Sequence, residues 1–408
     1  MDFDDTRDEH EFRLLVRSYL ESTFPRRPPG SGGGRIYHEG DEAAWIADAK
    51  ATQLRLYEDG WAGITWPRQY GGRGGTSIQN SIWNQEVVDF DVNVGSFAMG
   101  IGMAGPTIMA HGTDDQKHRY LAPMLSGQEF WVQLFSEPGA GSDLANIGTK
   151  AVRDGDDFVI TGQKVWTSSA QFGDFGILLA RTNPDAPKHR GITYFLVDMS
   201  SPGIDIRPLV QITGARHFSE VFLDDVRVPR SAVLGEVDGG WGVAMTTLAY
   251  ERGLIGGGGA GSFKWPELER LAEATGGGSD PLMRQRLAKA YTNFEIMKFL
   301  RYRIQTALSK GERPGTESSV MKLFIAQHLA EVTNLALSMD GADALLDGAD
   351  GRDRGLWVRQ WLQAVSVRIA GGSDEVQRNV LGERVLGLPA EPRVDKDVPF
   401  NQQNKSRP

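Results

Sequence analysis

The strongest constraint on this chain is a hydrophobic period that changes twice. Up to about Leu125 apolar residues recur at helical spacing; Phe12, Leu15, Val16, Tyr19 and Leu20 share one helix face. Near Phe130 the texture becomes short β-rich runs: "DDFVITGQKVWTSSA", "FGILLAR", "GITYFLVDM", "GIDIRPLV" and "SEVFLDDVRVP". Turn residues split them, the pattern of mainly antiparallel strands. After Trp241 the helical period returns and holds to about Val385, as in "SSVMKLFIAQHLAEVTNLALSM". Strands gathered in the middle, without alternating helices, exclude a βαβ layout. The expectation is an α+β chain, mainly α. It has a helical domain over 1–128, a β-domain over 129–240, a helical bundle over 241–390 and a tail over 391–408.

Local signals sharpen this outline. Thr6 and Glu9 have capping-box spacing at the start of the first helix. "HGTDDQKHRYLAPML" reads as a turn and a capped helix stopping near Pro123. "PRRPPGSGGG" (25–34) breaks regular structure and reads as a linker or loop.

Composition removes several function classes. There are 44 basic and 53 acidic residues, a net charge of −9, which argues against a general nucleic-acid or anionic-membrane binder. There is no cysteine, so disulfides, thiolate metal sites and a cysteine nucleophile are excluded. His111, His118, His217 and His328 show no ligand spacing, so no metal is expected. No apolar run reaches the roughly 18 residues of a membrane span. The opening "MDFDDTRDEH" is acidic, unlike a targeting peptide, and a cytoplasmic setting is expected.

The spacing G-x-G-x-x-G occurs in "GIGMAG" (100–105) and "GGGGAG" (256–261). A dinucleotide loop needs a strand before it and a helix after it. Both copies lie in helical texture, so they read as close helix packing or as space beside a ligand.

"FSEPGAGSDLANIGTKAVRDGDDFVITGQKVWTSSA" (135–170) resembles the first signature of the acyl-CoA dehydrogenase family. "RIAGGSDEVQRNVLGERVLGLP" (368–389) resembles the second. "GWAGITWPRQYGGRG", "HGTDDQKHRYLAPMLSGQEF" and "GIDIRPLVQITGARHFSEVFLDDVRVP" add family-like segments in order, covering nearly the whole chain. The resemblance implies an N-terminal helical domain, a central antiparallel β-domain and a C-terminal four-helix bundle, with FAD held between the last two. It implies dehydrogenation of an acyl-CoA to the trans-2-enoyl-CoA, electrons leaving to an electron-transfer flavoprotein. It implies a homodimer, a homotetramer, or a heteromer with a related subunit.

Such chemistry needs a carboxylate for the α-proton, donors for the developing enolate oxygen, and a flavin facing Cβ. Carried over from the family motif, Phe135, Ser136, Gly141, Ser142, Trp166, Thr167 and Ser168 are the flavin positions. Ser142 also lies near the substrate's pantetheine arm. Many family members place the base in the second signature, where this chain has Gly371. A subset places it on a bundle helix, just before an arginine, and Glu251–Arg252 matches that pair. Gly371 then keeps its backbone N–H for the thioester oxygen, and Arg252 is assigned to the substrate side. Glu375 and Glu137 are rival acids; Glu375 is the nearest to the lost position, and Glu137 sits before a structural turn.

The chain departs from the family in one respect. It lacks the R-x-x-F-G segment and the later glutamine that usually reach a neighbour's FAD. Two other readings of the same fold are an oxygen-using oxidase or monooxygenase and a non-catalytic subunit. The small residues of "SFAMGIGMAG" and Gly256–Gly259 favour a branched, long or ring-bearing acyl group.

Overall fold

The computed structural model describes residues 5–27, 42–93, 95–256, 265–310, 317–392 and 395–403. Five helices come first: α1 (Arg7–Thr23), α2 (Glu42–Glu58), α3 (Ser77–Val87), α4 (Gly105–His111) and α5 (Asp114–Leu125). The Thr6–Glu9 capping box is formed, and Thr113 caps α5 with Gln116 in the same way. α5 runs two residues past Pro123, because Leu121, Met124 and Leu125 are buried and their packing holds the last turn.

Seven strands follow: β1 (Trp131–Leu134), β2 (Lys150–Asp154), β3 (Asp157–Ser168), β4 (Phe175–Arg181), β5 (Ile192–Asp198), β6 (Ile204–Leu209) and β7 (Phe218–Pro229). Their order is β1-β4-β2-β3-β7-β6, with β5 paired to β4. The sheet is mainly antiparallel; β4 alone makes parallel pairings, with β1 and, at one position, β2. β4 and β5 are buried almost throughout, whereas β6 alternates between solvent and core.

The chain then returns to helices: α6 (Gly240–Gly256), α7 (Trp265–Thr275), α8 (Pro281–Ser309), α9 (Glu317–Asp340), α10 (Leu356–Val367) and α11 (Asp374–Val380). α9 is central, with α6, α7, α8, α10 and α11 all packed on it. Met321, Val332 and Leu335 of α9 carry the apolar core, with Leu268, Leu271 and Trp357 around them. The end of the chain folds back on the β-domain. Phe400 N–H donates to Ala186 O at 2.9 Å, and the Phe400 ring covers the Arg181 guanidinium at 3.8 Å.

The first glycine motif is a packing device. Residues 100–104 form a π-helical turn leading into α4, with no strand before it. A side chain at Gly105 would meet the Trp66 indole at 2.3 Å, and one at Gly100 would meet Met124 at 3.2 Å. In the second copy, 257–261 lie outside the described residues. No helix of the described residues is long and apolar enough to cross a membrane.

Candidate active site

The first signature and β3 come together at one end of the sheet. Val165 N–H donates to Ser136 O at 2.9 Å, which ties 135–136 to the strand carrying Trp166. Lys164, fully buried, donates to Phe135 O at 3.1 Å and to Glu137 Oε1 at 2.7 Å. Glu137 also accepts the N–H groups of Gly148 (2.6 Å) and Thr149 (3.0 Å). Burial pushes this carboxyl up, but Lys164 and the N–H donors outweigh it and hold the group below its ordinary range. Glu137 is therefore a permanently ionised strut, unsuited to taking a proton near neutrality.

Trp166 is the anomaly of the sheet. It lies at a register shift between β3 and β7, with φ of +62°. That conformation is costly for a bulky residue. The bulge turns its indole outward, where it is 58% exposed and meets the edge of Phe218 at 5.9 Å. Next to it, Thr167 Oγ1 is buried without a partner among the described residues. Ser168 is half-buried opposite Phe218, and Ser169 N–H donates to His217 O at 2.6 Å. Gly141 and Ser142 are exposed, and a side chain added at Gly139 or Gly141 would meet nothing within 4 Å. Phe135 differs from its carried-over role. Its ring is core, edge-on to Tyr194 at 5.7 Å, so only its backbone is offered to a ligand.

An exposed indole held by a strained bulge, on the strand that Ser136 O ties to a turn with open space at Gly139 and Gly141, is an apolar shelf for a flat ring system. These residues fit a flavin.

The second half of the site is built on α6. Thr247 is buried and bonds Tyr194 Oη and Thr107 Oγ1, each at 3.0 Å. Thr246 bonds His111 Nε2 at 2.9 Å. These contacts lock α6 onto β5 and α4. Glu251 lies one turn beyond Thr247 on the same helix face and is half-buried. The path Phe135–Tyr194–Thr247 thus links the β-domain shelf to the helix that carries Glu251. The side chain of Arg252 lies outside the described residues.

Gly371 lies in the turn between α10 and α11 with φ of +67°, followed by Gly372 at +89°. Only glycine takes two such positions in a row cheaply. Glu375 lies beyond the turn with a side chain 74% exposed and Arg378 beside it at 3.4 Å. Sequence reasoning missed Lys322 of α9, which is fully buried and donates to Gly372 O at 2.6 Å. Its signal was present: it shares a helical stripe with Ser319, Ile325, Ala326 and Leu329, an apolar face on which a charge is costly. Among the described residues no group of three or more His, Asp or Glu could hold a metal ion.

Three family models match in order: the acyl-CoA dehydrogenase N-terminal domain over residues 6–128, the middle domain over 133–226 and the C-terminal domain over 238–386. The chain belongs to the acyl-CoA dehydrogenase family, whose members carry FAD and dehydrogenate acyl-CoA thioesters. It is 38% identical over 391 residues to acyl-CoA dehydrogenase IpdE1 of Mycobacterium tuberculosis, covering 94% of this chain and 99% of that one. Among solved structures it resembles the Tcur3481-Tcur3483 steroid ACAD. The TM-score is 0.82 at 30% identity, over 96% of this chain and 100% of that one. It also resembles a chain of the ChsE4-ChsE5 complex of M. tuberculosis, with TM-score 0.77 at 28% identity, over 96% of this chain and 100% of that one.

Proposed function

We propose that this chain removes hydrogen from Cα and Cβ of a ring-bearing acyl-CoA, with Glu251 as the base for the α-proton. The observation that carries the reading is the placement of Glu251. It is half-buried on a helix locked to both neighbouring layers, whereas Glu375 is exposed and Glu137 is fully engaged by Lys164. The Gly371 N–H is assigned to the thioester oxygen, where it stabilises charge that grows as the α-proton leaves. Trp166, Thr167 and Ser168, with the backbone of 135–136 and the open turn at Gly141–Ser142, would hold the flavin. When bound, the flavin supplies the two-electron acceptor for the hydrogen leaving Cβ. Ser142 and Arg252 are assigned to the substrate side.

The acyl group is argued from the steroid named in the related structure. Two observations support assembly with a second, related chain. The R-x-x-F-G segment and glutamine that a like subunit would contribute are missing here. Apolar side chains at Val365, Ile369, Leu386 and Leu388 are exposed in the C-terminal part of the bundle sequence. The two related structures pair two named chains each. An electron-transfer flavoprotein is the proposed acceptor.

The test is anaerobic bleaching of the purified flavoprotein by straight-chain, branched and ring-bearing acyl-CoA thioesters. Glu251→Gln should retain flavin and bleach roughly 10²–10⁴-fold more slowly, the usual contribution of a general base. Bleaching at the wild-type rate would remove Glu251 from the mechanism. Steady-state oxygen uptake without reduction of an electron-transfer flavoprotein would favour an oxidase on the same fold.

A further inference from the structure

The Gly371–Gly372 turn is gripped from two helices. Gln377 of α11, buried, donates from Nε2 to Gly371 O at 3.0 Å. Lys322 of α9 donates to the next carbonyl, Gly372 O, at 2.6 Å. Its ammonium is 4.0 Å from Asp374 Oδ1, itself buried, while Asp374 Oδ2 accepts from Arg368 at 2.9 Å. Packing alone does not explain Lys322. Methionine or leucine would fill the same space without stripping water from a charge. The lysine persists where its one short bond is to the turn.

Charge gives a second observation. Burial pulls the Lys322 ammonium below its ordinary pKa, against the pull of Asp374, Glu251 and Glu375, while Arg368 repels it. The candidate base and the candidate thioester donor sit on different segments, α6 and the α10–α11 connection. α9 packs against both α6 and α11, and its Lys322 bonds the turn that precedes α11.

We propose that Lys322 is a positioning residue of the dehydrogenation site: it fixes the Gly371–Gly372 turn through the Gly372 carbonyl and so holds the Gly371 N–H in place. This rests on the reading of Glu251 and Gly371 given above.

Lys322→Met and Lys322→Gln test it in the flavin-loaded protein, with any partner subunit present. The probe is the acyl-CoA of the panel that bleaches the wild type fastest. Flavin content, hydrogen exchange at 370–374, and the bleaching rate against substrate concentration are measured. Lys322→Met should keep its flavin, exchange faster at the turn, and lower the limiting rate by about tenfold or more, a part of what a lost oxyanion donor costs. Half-saturation should stay within about threefold, since the turn acts on the transition state more than on binding. Lys322→Gln can still donate to Gly372 O, so it should restore turn protection and most of the rate.

A folded, flavin-loaded Lys322→Met with the wild-type rate and turn exchange, or with only a lowered Tm, overturns the proposal. If Lys322→Met does not fold, a Lys322→Gln whose limiting rate does not follow its turn protection overturns it. Glu251→Gln, run in parallel, separates the two levels. If it bleaches normally, the base assignment falls. If it is slow while Lys322→Met is normal, only the role of Lys322 falls.

Discussion

The β-domain and the helical bundle each bury one lysine completely, and the two are solved differently. Lys164 of β3 meets Glu137 at 2.7 Å, and two backbone N–H groups complete that carboxylate. Lys322 of α9 gives its short bond to a neutral carbonyl and stands 4.0 Å from Asp374 Oδ1, on a residue already bound by Arg368. The first arrangement is closed. Every strong group in it has its partner, and it joins the signature turn to the strand that presents Trp166. The second is open, with charge left over beside a pair of left-handed glycines. A buried charge that is fully paired fixes a scaffold; one that is not acts on its surroundings.

The comparison is broken most severely at Lys164. Lys164→Met leaves the Glu137 carboxylate buried without its cation, which costs about 3–5 kcal/mol of stability by analogy with other buried pairs. Chemical denaturation of the flavin-free chain reads this directly. Adding Glu137→Gln should recover part of the loss and no more, because an amide oxygen accepts from Gly148 and Thr149 less strongly than a carboxylate does. A loss below about 1 kcal/mol would make the pair no more than a surface bridge and remove the contrast with Lys322.

Each layer also buries a histidine, which sharpens the comparison through pH. Burial pushes His217, beside the Trp166 bulge, and His328, among Phe294 and Phe324 in the bundle, down to about 4. A histidine whose folded pKa lies below its unfolded value binds its proton first in the unfolded chain. Stability is therefore full above about 6.5 and falls as pH drops towards about 4, by about 1.4 kcal/mol per pH unit for each such group at most. His328→Leu should flatten that slope for the bundle while leaving the His217 contribution. Tm measured from pH 7 to 4.5 checks it; a slope equal to the wild type's would take His328 out of the acid response.

The fold was legible because burial here follows period. The switch from helical spacing to short strands and back is written in residues such as Phe12, Val16 and Leu20, and later Met321, Ile325 and Val332, which the structure buries. The Thr6–Glu9 capping box and the capped start of α5 were legible because they are local. What lay hidden is set by tertiary register. The outward turn of Trp166 depends on a shift between β3 and β7, which no window of β3 alone contains. Lys322 carries a local signal, its place on the apolar stripe of α9, but the carbonyl it serves lies in a turn 50 residues further on. The return of Phe400 to Arg181 spans more than half the chain and leaves no periodic trace.

The smallest change in stability is expected where the functional claim is most exposed. Trp166 holds φ of +62° and leaves 58% of its surface in solvent. Trp166→Gly removes little buried area and relieves a backbone conformation that costs an L-residue about 1–2 kcal/mol. The looser unfolded chain that glycine brings offsets about 1 kcal/mol of that relief. The flavin-free protein should thus keep its stability within about 1 kcal/mol of wild type. Flavin binding should weaken by roughly tenfold, since stacking on an aromatic face contributes about 0.5–1.5 kcal/mol beyond the area it buries. Titration of the apoprotein with FAD measures the second effect and denaturation the first. A variant that is clearly destabilised but binds FAD normally would make the indole a structural plug, and the bulge that presents it a feature of the sheet alone.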